Sequence, residues 1–412
     1  MPRFRSLIIG GSTVATALLA LAPPATAATA STGPRMARAS AVASPAVGGS
    51  NDYLNGDSCT SSTFCMAVGA FHLSGHSRGL SETLSGGNWV ANSVPSPSGG
   101  VNIFANEVSC ASPSRCLFVG DHWATRRGPF ANLAEAWNGS SWRIVTAKGP
   151  AGAAISALDD VACPAARFCL AIGFAGSRLH FQDTAYTWKN GTTWRRIAVP
   201  RPRHARNSEL GGLACFSARN CMAVGNYRSA SGRVLPFAVR WHDGRWKLLT
   251  TPTVRRQRLT VFQGVSCPTA TRCVAVGNTV DNTSHRFFHA FAEVWSGGKW
   301  HVSTLRRTPS FFFGVSCPAS NRCFASGDTF PSGTALAHPL IETWNGRSWT
   351  TQHPVQTQAP HSGDVLLHVS CVFRSRCEAV GFRFNPNVRN SDRTLAEMWN
   401  GHRWTVQTTA NP

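Results

Sequence analysis

The feature that most constrains the fold of this chain is a pair of cysteines, six positions apart, that recurs seven times. One copy lies in Val265–Gly277, with the sequence VSCPTATRCVAVG, and the seven copies account for all 14 cysteines. Successive first cysteines are 50 to 54 residues apart. A fixed period of this length is typical of repeat architectures. The sequence therefore predicts seven structural units, starting near residues 55, 104, 157, 209, 261, 311 and 365.

Each unit has the pattern of four short strands, A to D, as the fifth unit illustrates. Phe262–Cys267 is short and apolar and predicts strand A, and the alternating Cys273–Gly277 predicts an antiparallel strand B. After a polar stretch, Ala290–Trp295 predicts strand C, and the turn Ser296–Lys299 leads into strand D at Trp300–Leu305. No segment keeps a helical periodicity long enough to compete with this interpretation.

Four antiparallel strands repeated seven times predict an all-β fold, a seven-bladed β-propeller of four-stranded antiparallel blades. A lone sheet of this size is marginally stable, whereas in a ring each sheet buries both faces against its neighbours. The alternative is an open β-solenoid, which needs capping units that we do not find in the sequence. We therefore assign residues 52–412 to one propeller.

The cysteine pairs are predicted to form one disulfide per blade, across the A–B hairpin. Opposed residues of an antiparallel pair lie about 4.5–5.5 Å apart at Cα, a distance that a disulfide tolerates, and each small closed loop stabilises by about 2–3 kcal/mol. Metal binding is the alternative, but the spacing is not that of zinc ligands and each pair lacks partners. The predicted bonds are Cys59–Cys65, Cys110–Cys116, Cys163–Cys169, Cys215–Cys221, Cys267–Cys273, Cys317–Cys323 and Cys371–Cys377.

A second repeated pattern, W-N-G-x-x-W, marks the C–D hairpin, for example at Trp137–Trp142 and Trp344–Trp349. Paired tryptophans across a hairpin bury aromatic area and fix its register. We therefore interpret them as structural residues rather than as sugar-binding platforms. A Glu also recurs two positions before the first Trp position, and since equivalent carboxylates in most units cannot all be catalytic, we predict hydrogen-bonded strand residues. These are Glu82, Glu135, Glu293, Glu342 and Glu397.

The order of these motifs, VSC, then C-x-AVG, then W-N-G-x-x-W, resembles the blades of Asp-box (BNR-type) and photosystem-assembly-factor propellers. In those families a G-x-x-V-G strand precedes a D-x-G-x-T-W turn, and Trp137, Trp344 and Trp399 stand here where that turn has Asp. The chain also resembles Cys-rich secreted repeat proteins of high-GC Gram-positive bacteria. The resemblance covers all seven units and implies the propeller fold, but function does not follow from fold.

The N-terminal residues 1–30 have the order of a secretory signal peptide, with two arginines, an apolar run over 7–22, and A-x-A cleavage candidates ending at Ala27 and Ala30. An uncleaved membrane anchor is the alternative, but the apolar run is short for a span. Residues 31–51, which are rich in Ala, Ser, Pro and Gly, predict a flexible linker. Export agrees with the cysteine framework, so we expect a secreted protein, extracellular or associated with the cell envelope.

The chain is strongly basic, with 40 Lys and Arg against 19 Asp and Glu and a formal net charge of +21. A GC-rich genome explains the preference for Arg over Lys but not the shortage of acids. In the predicted strand order the A–B and C–D turns share one face and the B–C and D–A loops share the other, and variable loops commonly carry binding sites. The predicted ligand-binding residues on that loop face are Arg126, Arg127, Arg178, Arg201, Arg203, Arg206, Arg255, Arg256, Arg258, Arg286, Arg306, Arg307 and Trp123.

A focused positive face attracts polyanions, so we predict binding of anionic envelope polymers or acidic glycans, with nucleic acid as a weaker candidate partner. Three classes of function stay open. The first is a non-catalytic binding or scaffold propeller, which we favour. The second is a glycoside hydrolase or lyase with a site at the central pocket, and the third is a purely structural envelope protein without a ligand.

An enzyme of the second class needs two carboxylates in one cleft. Sialidase chemistry, which the Asp-box resemblance implies, also needs a Tyr with a Glu partner, and the three tyrosines here have no obvious one. Convergence of Asp121, Asp328, His285 or His289 near the axis would indicate a catalytic site. We predict no catalytic residue, cofactor or metal ion, no membrane span after signal cleavage, and a monomer. The aspartates in predicted B–C loops are Asp121, Asp183, Asp281, Asp328 and Asp392.

Overall fold

The computed structural model describes residues 50–98, 102–123, 128–145, 147–252, 257–281, 288–303, 305, 309–330, 336–356 and 362–411. The predicted signal peptide and all but the last two residues of the predicted linker lie outside these ranges. In the part of the chain that is described, no helix is long and apolar enough to cross a membrane.

The regular elements of the described residues are 28 strands, and they fall into seven successive groups of four. Units 1 and 2 comprise β1 (Ser50–Ser61), β2 (Phe64–Leu73), β3 (His76–Ser85), β4 (Asn88–Asn92), β5 (Asn102–Ser112), β6 (Arg115–Trp123), β7 (Phe130–Trp137) and β8 (Trp142–Ile144). Units 3 and 4 comprise β9 (Ile155–Ala165), β10 (Phe168–Gly176), β11 (Phe181–Lys189), β12 (Thr193–Ile197), β13 (Ser208–Ser217), β14 (Asn220–Arg228), β15 (Val234–His242) and β16 (Arg245–Leu249). Units 5 to 7 comprise β17 (Gln257–Thr269), β18 (Arg272–Asp281), β19 (His289–Ser296), β20 (Lys299–Ser303), β21 (Ser310–Ala319), β22 (Arg322–Thr329), β23 (His338–Trp344), β24 (Trp349–Gln352), β25 (Gly363–Phe373), β26 (Arg376–Phe384), β27 (Arg393–Trp399) and β28 (Trp404–Gln407).

Within each unit the four strands pair in sequence order, A with B, B with C and C with D, all antiparallel. Five units form separate four-stranded sheets, whereas units 4 and 5 belong to one eight-stranded sheet. A single parallel pair, Val234 with Leu259, joins them. This pair forms because β17 begins early, at Gln257. The carbonyl oxygen of Gln257 accepts a hydrogen bond from Arg233 Nη2 at 2.8 Å. The predicted all-β fold of repeated four-stranded meanders is therefore confirmed.

The predicted disulfides are present in every unit, and each closes the A–B hairpin with Cα atoms 3.9 to 4.1 Å apart. The second cysteine of the pair lies opposite the first position of the C–D motif, as Cys116 does opposite Trp137. Trp137 in turn lies opposite Trp142, with ring centroids 5.4 Å apart. The register thus places the disulfides and the tryptophan pairs at one end of the sheets.

Every A strand also contains a one-residue β-bulge at the same place, between the third and fifth residues before its first cysteine. The bulge presses a carbonyl group of strand A against the Gly of the AVG motif in strand B. A Cβ atom on Gly277 would lie 2.0 Å from the carbonyl oxygen of Val261. This close approach explains the recurrence of the motif, because only Gly fits beneath the bulge.

The A strands of neighbouring units are joined by side-chain hydrogen bonds that repeat around the molecule. A Ser immediately before the first cysteine accepts a bond from the backbone N–H of the first cysteine in the next unit, as in Ser58 Oγ to Cys110 N at 3.0 Å. The same bond forms at five of the seven junctions, and Ala162 and Ala214 replace Ser at the other two. The remaining four pairs are Ser109 with Cys163, Ser266 with Cys317, Ser316 with Cys371 and Ser370 with Cys59.

The last of these bonds joins unit 7 to unit 1 and so closes the ring. Trp89 Nε1 also donates to Gln407 Oε1 at 2.8 Å across this junction. Buried side chains of both units share one apolar cluster, in which Leu54 and Leu80 pack with Val380. The two ends of the chain of units are therefore held by the same packing and hydrogen bonding as the internal junctions.

We expect Ser370→Ala to lower the free energy of unfolding by about 1 kcal/mol, because it removes the acceptor of the partly buried N–H of Cys59. Ala162→Ser, which places a hydroxyl beside Cys215 where the ring lacks one, should raise it by up to about the same amount. Urea unfolding of both variants measures these changes. Ser96→Ala, at an exposed position, is the control, and an equal effect there would contradict the role assigned to the ring.

Candidate binding surface on the loop face

The loop face is the end of the sheets that carries the B–C and D–A connections, and the turn face is the end that carries the A–B and C–D turns. Of the predicted ligand-binding residues, Arg178 lies in the B–C turn of unit 3, and Arg258 lies at the start of β17. Both are exposed. Arg201, Arg203 and Arg206 are exposed in the loop between β12 and β13, and Trp123 is half-buried at the end of β6. Seven others lie outside the described residues: Arg126, Arg127, Arg255, Arg256, Arg286, Arg306 and Arg307.

Four of these arginines lie in loops that hydrogen bonds connect, and we call Arg178, Arg201, Arg203 and Arg206 the basic patch. Arg178 Nη2 donates to the carbonyl oxygen of Gly128 at 2.9 Å, which links the B–C connections of units 2 and 3. Asn207 Nδ2 donates to the carbonyl oxygen of Leu179 at 3.1 Å, which links that turn to the loop before unit 4. Loops from three units therefore form one braced surface.

The acidic residues are almost absent from the surface. Of the 19 acidic residues, all but Asp281 have a described side chain, and among those only Asp243, in a turn-face hairpin, is exposed. Its carboxylate lies 3.3 Å from Arg219 Nε. By contrast, no Lys or Arg side chain that the structure describes is buried. The described surface is consequently cationic on both faces, and the basic patch is one cluster of its arginines.

The repeated glutamates of strand C lie at the junctions between units, and the prediction that they are hydrogen-bonded is correct for some and wrong for others. Glu82 accepts from Ala410 N at 3.0 Å, and Glu397 accepts from Val355 N at 2.8 Å. Both donors lie six residues after the second Trp of the preceding unit.

Glu135 and Glu293 are fully buried, and neither carboxylate oxygen has a hydrogen-bond partner in the described residues. The residues that correspond to Ala410 and Val355 in the preceding units are Pro95 and Pro252, which have no N–H. Burial raises the pKa of each carboxyl to about 8.

Sequence reasoning missed a group of polar side chains around the axis. The A strands line an axial cavity of about 170 Å³. In it His368 Nδ1 lies 2.8 Å from Asp57 Oδ1, and His368 Nε2 lies 3.5 Å from Glu107 Oε2. Asp160 lines the same cavity and accepts a hydrogen bond from Leu213 N at 2.7 Å. We call Asp57, Glu107, Asp160 and His368 the axial group.

A sequence signal for this group exists at the third position before the first cysteine. Four units have Gly there and the other three have Glu107, Asp160 and His368. A Cβ atom on Gly56 would lie 2.1 Å from Glu107 Oε1, so the small residue makes room for a neighbouring charged one. Replacement of this Gly by a titratable residue is therefore the sequence signal that indicates the axial group.

The carboxylates proposed for catalysis do not line the axial cavity. Asp121 is buried and accepts a hydrogen bond from Trp123 Nε1. Asp328 is buried, and burial raises its pKa to about 8. Asp183 accepts from Ser208 Oγ, and burial raises its pKa to about 6. His289 is half-buried at the start of β19, Asp392 is half-buried before β27, and His285 and the Asp281 side chain lie outside the described residues.

Within the described ranges, no group of three or more His, Cys, Asp or Glu side chains is placed to hold a metal ion. The three carboxylates at Asp121, Asp183 and Asp328 come from units 2, 3 and 6. Each has its own local environment. A base and two carboxylates come together in the axial group.

Solved structures of β-propellers are among those that this chain resembles. The fold is a β-propeller. A polysaccharide lyase of family PL25, an ulvan lyase bound to -[GlcA(1-4)Rha3S]-, matches with a TM-score of 0.51 at 8% identity, over 83% of this chain and 91% of that one. An acylaminoacyl peptidase from Pyrococcus horikoshii matches with a TM-score of 0.50 at 11% identity, over 87% of this chain and 52% of that one.

The β-propeller domain of the Trilobed protease from Pyrococcus furiosus is a further match, with a TM-score of 0.49, 9% identity and coverage of 87% of this chain and 99% of that one. Neither a family model nor a curated protein matches the sequence. At these identities the resemblance concerns the fold alone.

We expect the stability of the protein to fall as the pH rises from about 4.5 to about 8, because the folded state keeps the buried Glu135 and Glu293 protonated while the unfolded chain releases these protons. A raised pKa means that the folded state binds the proton more tightly than the unfolded chain does. The resulting contribution to the free energy of unfolding is fully present below the ordinary Glu pKa and is lost as the pH rises through the pKa of the folded state. Glu135→Gln should therefore raise the free energy of unfolding by on the order of 3 kcal/mol at pH 7 and by much less at pH 4.5.

Thermal or urea unfolding across this pH range measures the effect. Asp243→Asn removes one carboxylate from an exposed position and should leave the pH dependence as in the wild type. If Glu135→Gln stabilises equally at pH 4.5 and pH 8, the raised pKa of the buried carboxyl is not the cause.

Proposed function

We propose that this chain is a secreted, non-catalytic binding protein, a seven-bladed propeller whose loop face binds anionic polymers of the cell envelope or acidic glycans. The observation that carries the proposal is the separation of charge. The described carboxylates are almost all withdrawn from the surface, and the described Lys and Arg side chains are all at least partly accessible. A surface of this kind repels cations and attracts polyanions from a distance.

The proposal places the ligand on the basic patch because the arginines there are numerous and braced. Arg presents a planar fork of donors that matches carboxylate, sulfate and phosphate groups. The bonds from Arg178 to Gly128 and from Asn207 to Leu179 connect the loops that carry these arginines. A preordered surface of this kind lowers the entropic cost of binding.

Protonation of buried carboxyl groups makes the net charge of the protein more positive. Burial raises the pKa of Glu135, Glu293 and Asp328 to about 8, so these groups are largely protonated at neutral pH. The formal net charge of +21 counts each of them as ionised. The surface that a ligand meets at pH 7 is therefore more positive than the formal count.

The remaining parts of the proposal rest on the sequence and on the disulfides. Seven disulfides are typical of a protein that folds in an oxidising environment. Together with the signal-peptide pattern they support secretion. The ring of A strands supports seven blades. The Asp-box relationship, the bacterial group and the monomeric state stay predictions.

A glycoside hydrolase or lyase is the second candidate, and the observation that favours it is the axial group. His368 lies between Asp57 and Glu107, an arrangement that suits general acid–base chemistry. A polysaccharide lyase shares the fold, although likeness at 8% identity supports no activity. Depolymerisation of an acidic glycan that is lost in His368→Gln, with folding intact, would establish this candidate in place of the first.

We expect the triple variant Arg201→Gln, Arg203→Gln and Arg206→Gln to bind polygalacturonate about tenfold more weakly than the wild type at low salt, since it removes three exposed cations from one patch. The dependence of affinity on salt should also become shallower, because fewer charges are screened. Titration of the mature protein with the polymer across a salt series measures both quantities.

The matched control is Arg245→Gln, Arg347→Gln and Arg403→Gln, which removes the same charge from exposed positions on the turn face. It should change the affinity much less. Equal losses in the two triple variants would show that net charge alone attracts the polymer, and the absence of polyanion binding by the wild type at low salt would refute the proposed function.

A further inference from the structure

A row of five aromatic rings runs across the loop face of units 2 and 3, and none of the five belongs to the apolar clusters between the sheets. Neighbouring centroids in the row are 5.2 to 6.0 Å apart. Each ring is half-buried, so part of every ring meets solvent. In order the rings are Phe104, Trp123, Phe130, Phe174 and Phe181, and we call them the aromatic row.

The topology explains why the row lies at the loop face. Trp123 ends strand B of unit 2 and lies opposite Phe130, which begins strand C, and the two rings stack at 5.2 Å with an interplanar angle of 18°. Phe181 begins strand C of unit 3 opposite Gly176, which has no side chain to cover it. The row therefore bridges the B–C ends of two adjacent units.

A second group of Phe residues on the same face has a structural role and serves for comparison. Phe311 and Phe313 are buried, and they pack in an apolar cluster with Val365 and Leu367. Phe330 lies partly buried against that cluster. Among the residues that the structure describes, no buried apolar cluster contains a ring of the aromatic row, so packing of the described core does not explain these rings.

The row lies beside the basic patch. Arg178 is in the turn that joins the strands of Phe174 and Phe181, and its guanidinium bonds the carbonyl oxygen of Gly128, two residues before Phe130. Leu179, the next residue of the turn, is 78% exposed. Trp123 is held in place through its Nε1 donation to the carboxylate of buried Asp121. The aromatic row and the basic patch thus meet at Arg178.

We propose that the aromatic row is a sugar-stacking subsite, so that the anionic ligand of this face is an acidic polysaccharide. This inference rests on the proposed function and makes it narrower. Pyranose rings have apolar C–H faces that pack on the exposed parts of aromatic rings, while their carboxylate or sulfate groups pair with the guanidinium groups beside the row. A linear polyanion without rings would use the arginines only.

Single-stranded nucleic acid is less well suited to this geometry, although it also stacks on aromatic side chains. A base needs an open ring face. Trp123 and Phe130 cover one face of each other, and the next pairs along the row are tilted by 54° to 77°. Partial faces and edges suit the C–H groups of sugar rings better than they suit flat bases.

The test compares polygalacturonate with long-chain polyphosphate, a polyanion without rings, at one salt concentration. Trp123→Leu and Phe181→Leu keep apolar volume but remove the aromatic face. Each variant should bind polygalacturonate about fivefold to tenfold more weakly, the size of one lost stacking contact, and should bind polyphosphate as the wild type does. The matched control is Phe382→Leu, a half-buried Phe on the loop face of unit 7, which should bind both polymers unchanged. Thermal unfolding confirms that all variants fold.

The outcomes separate this inference from the proposed function. If the Leu variants bind both polymers like the wild type while the arginine variants lose affinity, the subsite is wrong and the basic face stands. Equal losses for both polymers also overturn the subsite. If oligo-dT binds more tightly than polygalacturonate and loses affinity in Trp123→Leu, the row stacks bases instead. If no polyanion binds the wild type, both proposals fail.

Discussion

The fold depends on satisfying the inner edges of the A strands where they meet around the axis. An edge strand presents unpaired N–H and C=O groups, and leaving them buried without partners is costly. Here a Ser before the first cysteine accepts the N–H of the first cysteine in the next unit, including the pair Ser370 and Cys59 that joins the last unit to the first. This bond, repeated at most junctions, adds to the packing and to the other hydrogen bonds that join neighbouring sheets.

From that inner ring the positions of all other features follow. The disulfide fixes the A–B hairpin directly beyond the Ser, so the turn face holds the invariant parts of the repeat. The bulge in strand A forces Gly into the AVG motif, as at Gly277 beneath the carbonyl of Val261. Since the strands alternate in direction, the connections of variable length must emerge on the opposite face. The stretch from Val265 to Gly277 is therefore structural, and its contribution to function is to set where the loops lie.

Sequence reasoning predicted what is periodic and failed where neighbouring units differ. The cysteine and tryptophan pairs repeat in nearly every unit, so their partners, their strands and their face could be derived. The sequence of strand C alone does not show that Glu135 and Glu293 lack hydrogen-bond partners whereas Glu82 and Glu397 have them. What distinguishes them is Pro95 or Pro252 in the preceding unit, since proline has no N–H to donate. The axial group of His368 and Asp57 depends in the same way on residues about 310 positions apart that only ring closure brings together.

The buried glutamates bear on function as well as on stability. A chain with few acids could expose them all without difficulty, and burying Glu135 and Glu293 without partners costs stability at neutral pH. Their placement nonetheless leaves the outer surface with hardly any negative charge to compete with a ligand for its arginines. Most carboxylates that the structure describes are withdrawn from the surface, although Asp183 lies close enough to Arg201 of the basic patch to interact with its charge. The same residues that weaken the interior thus keep the exterior available to a polyanion, which is the arrangement expected if binding is what the loop face does.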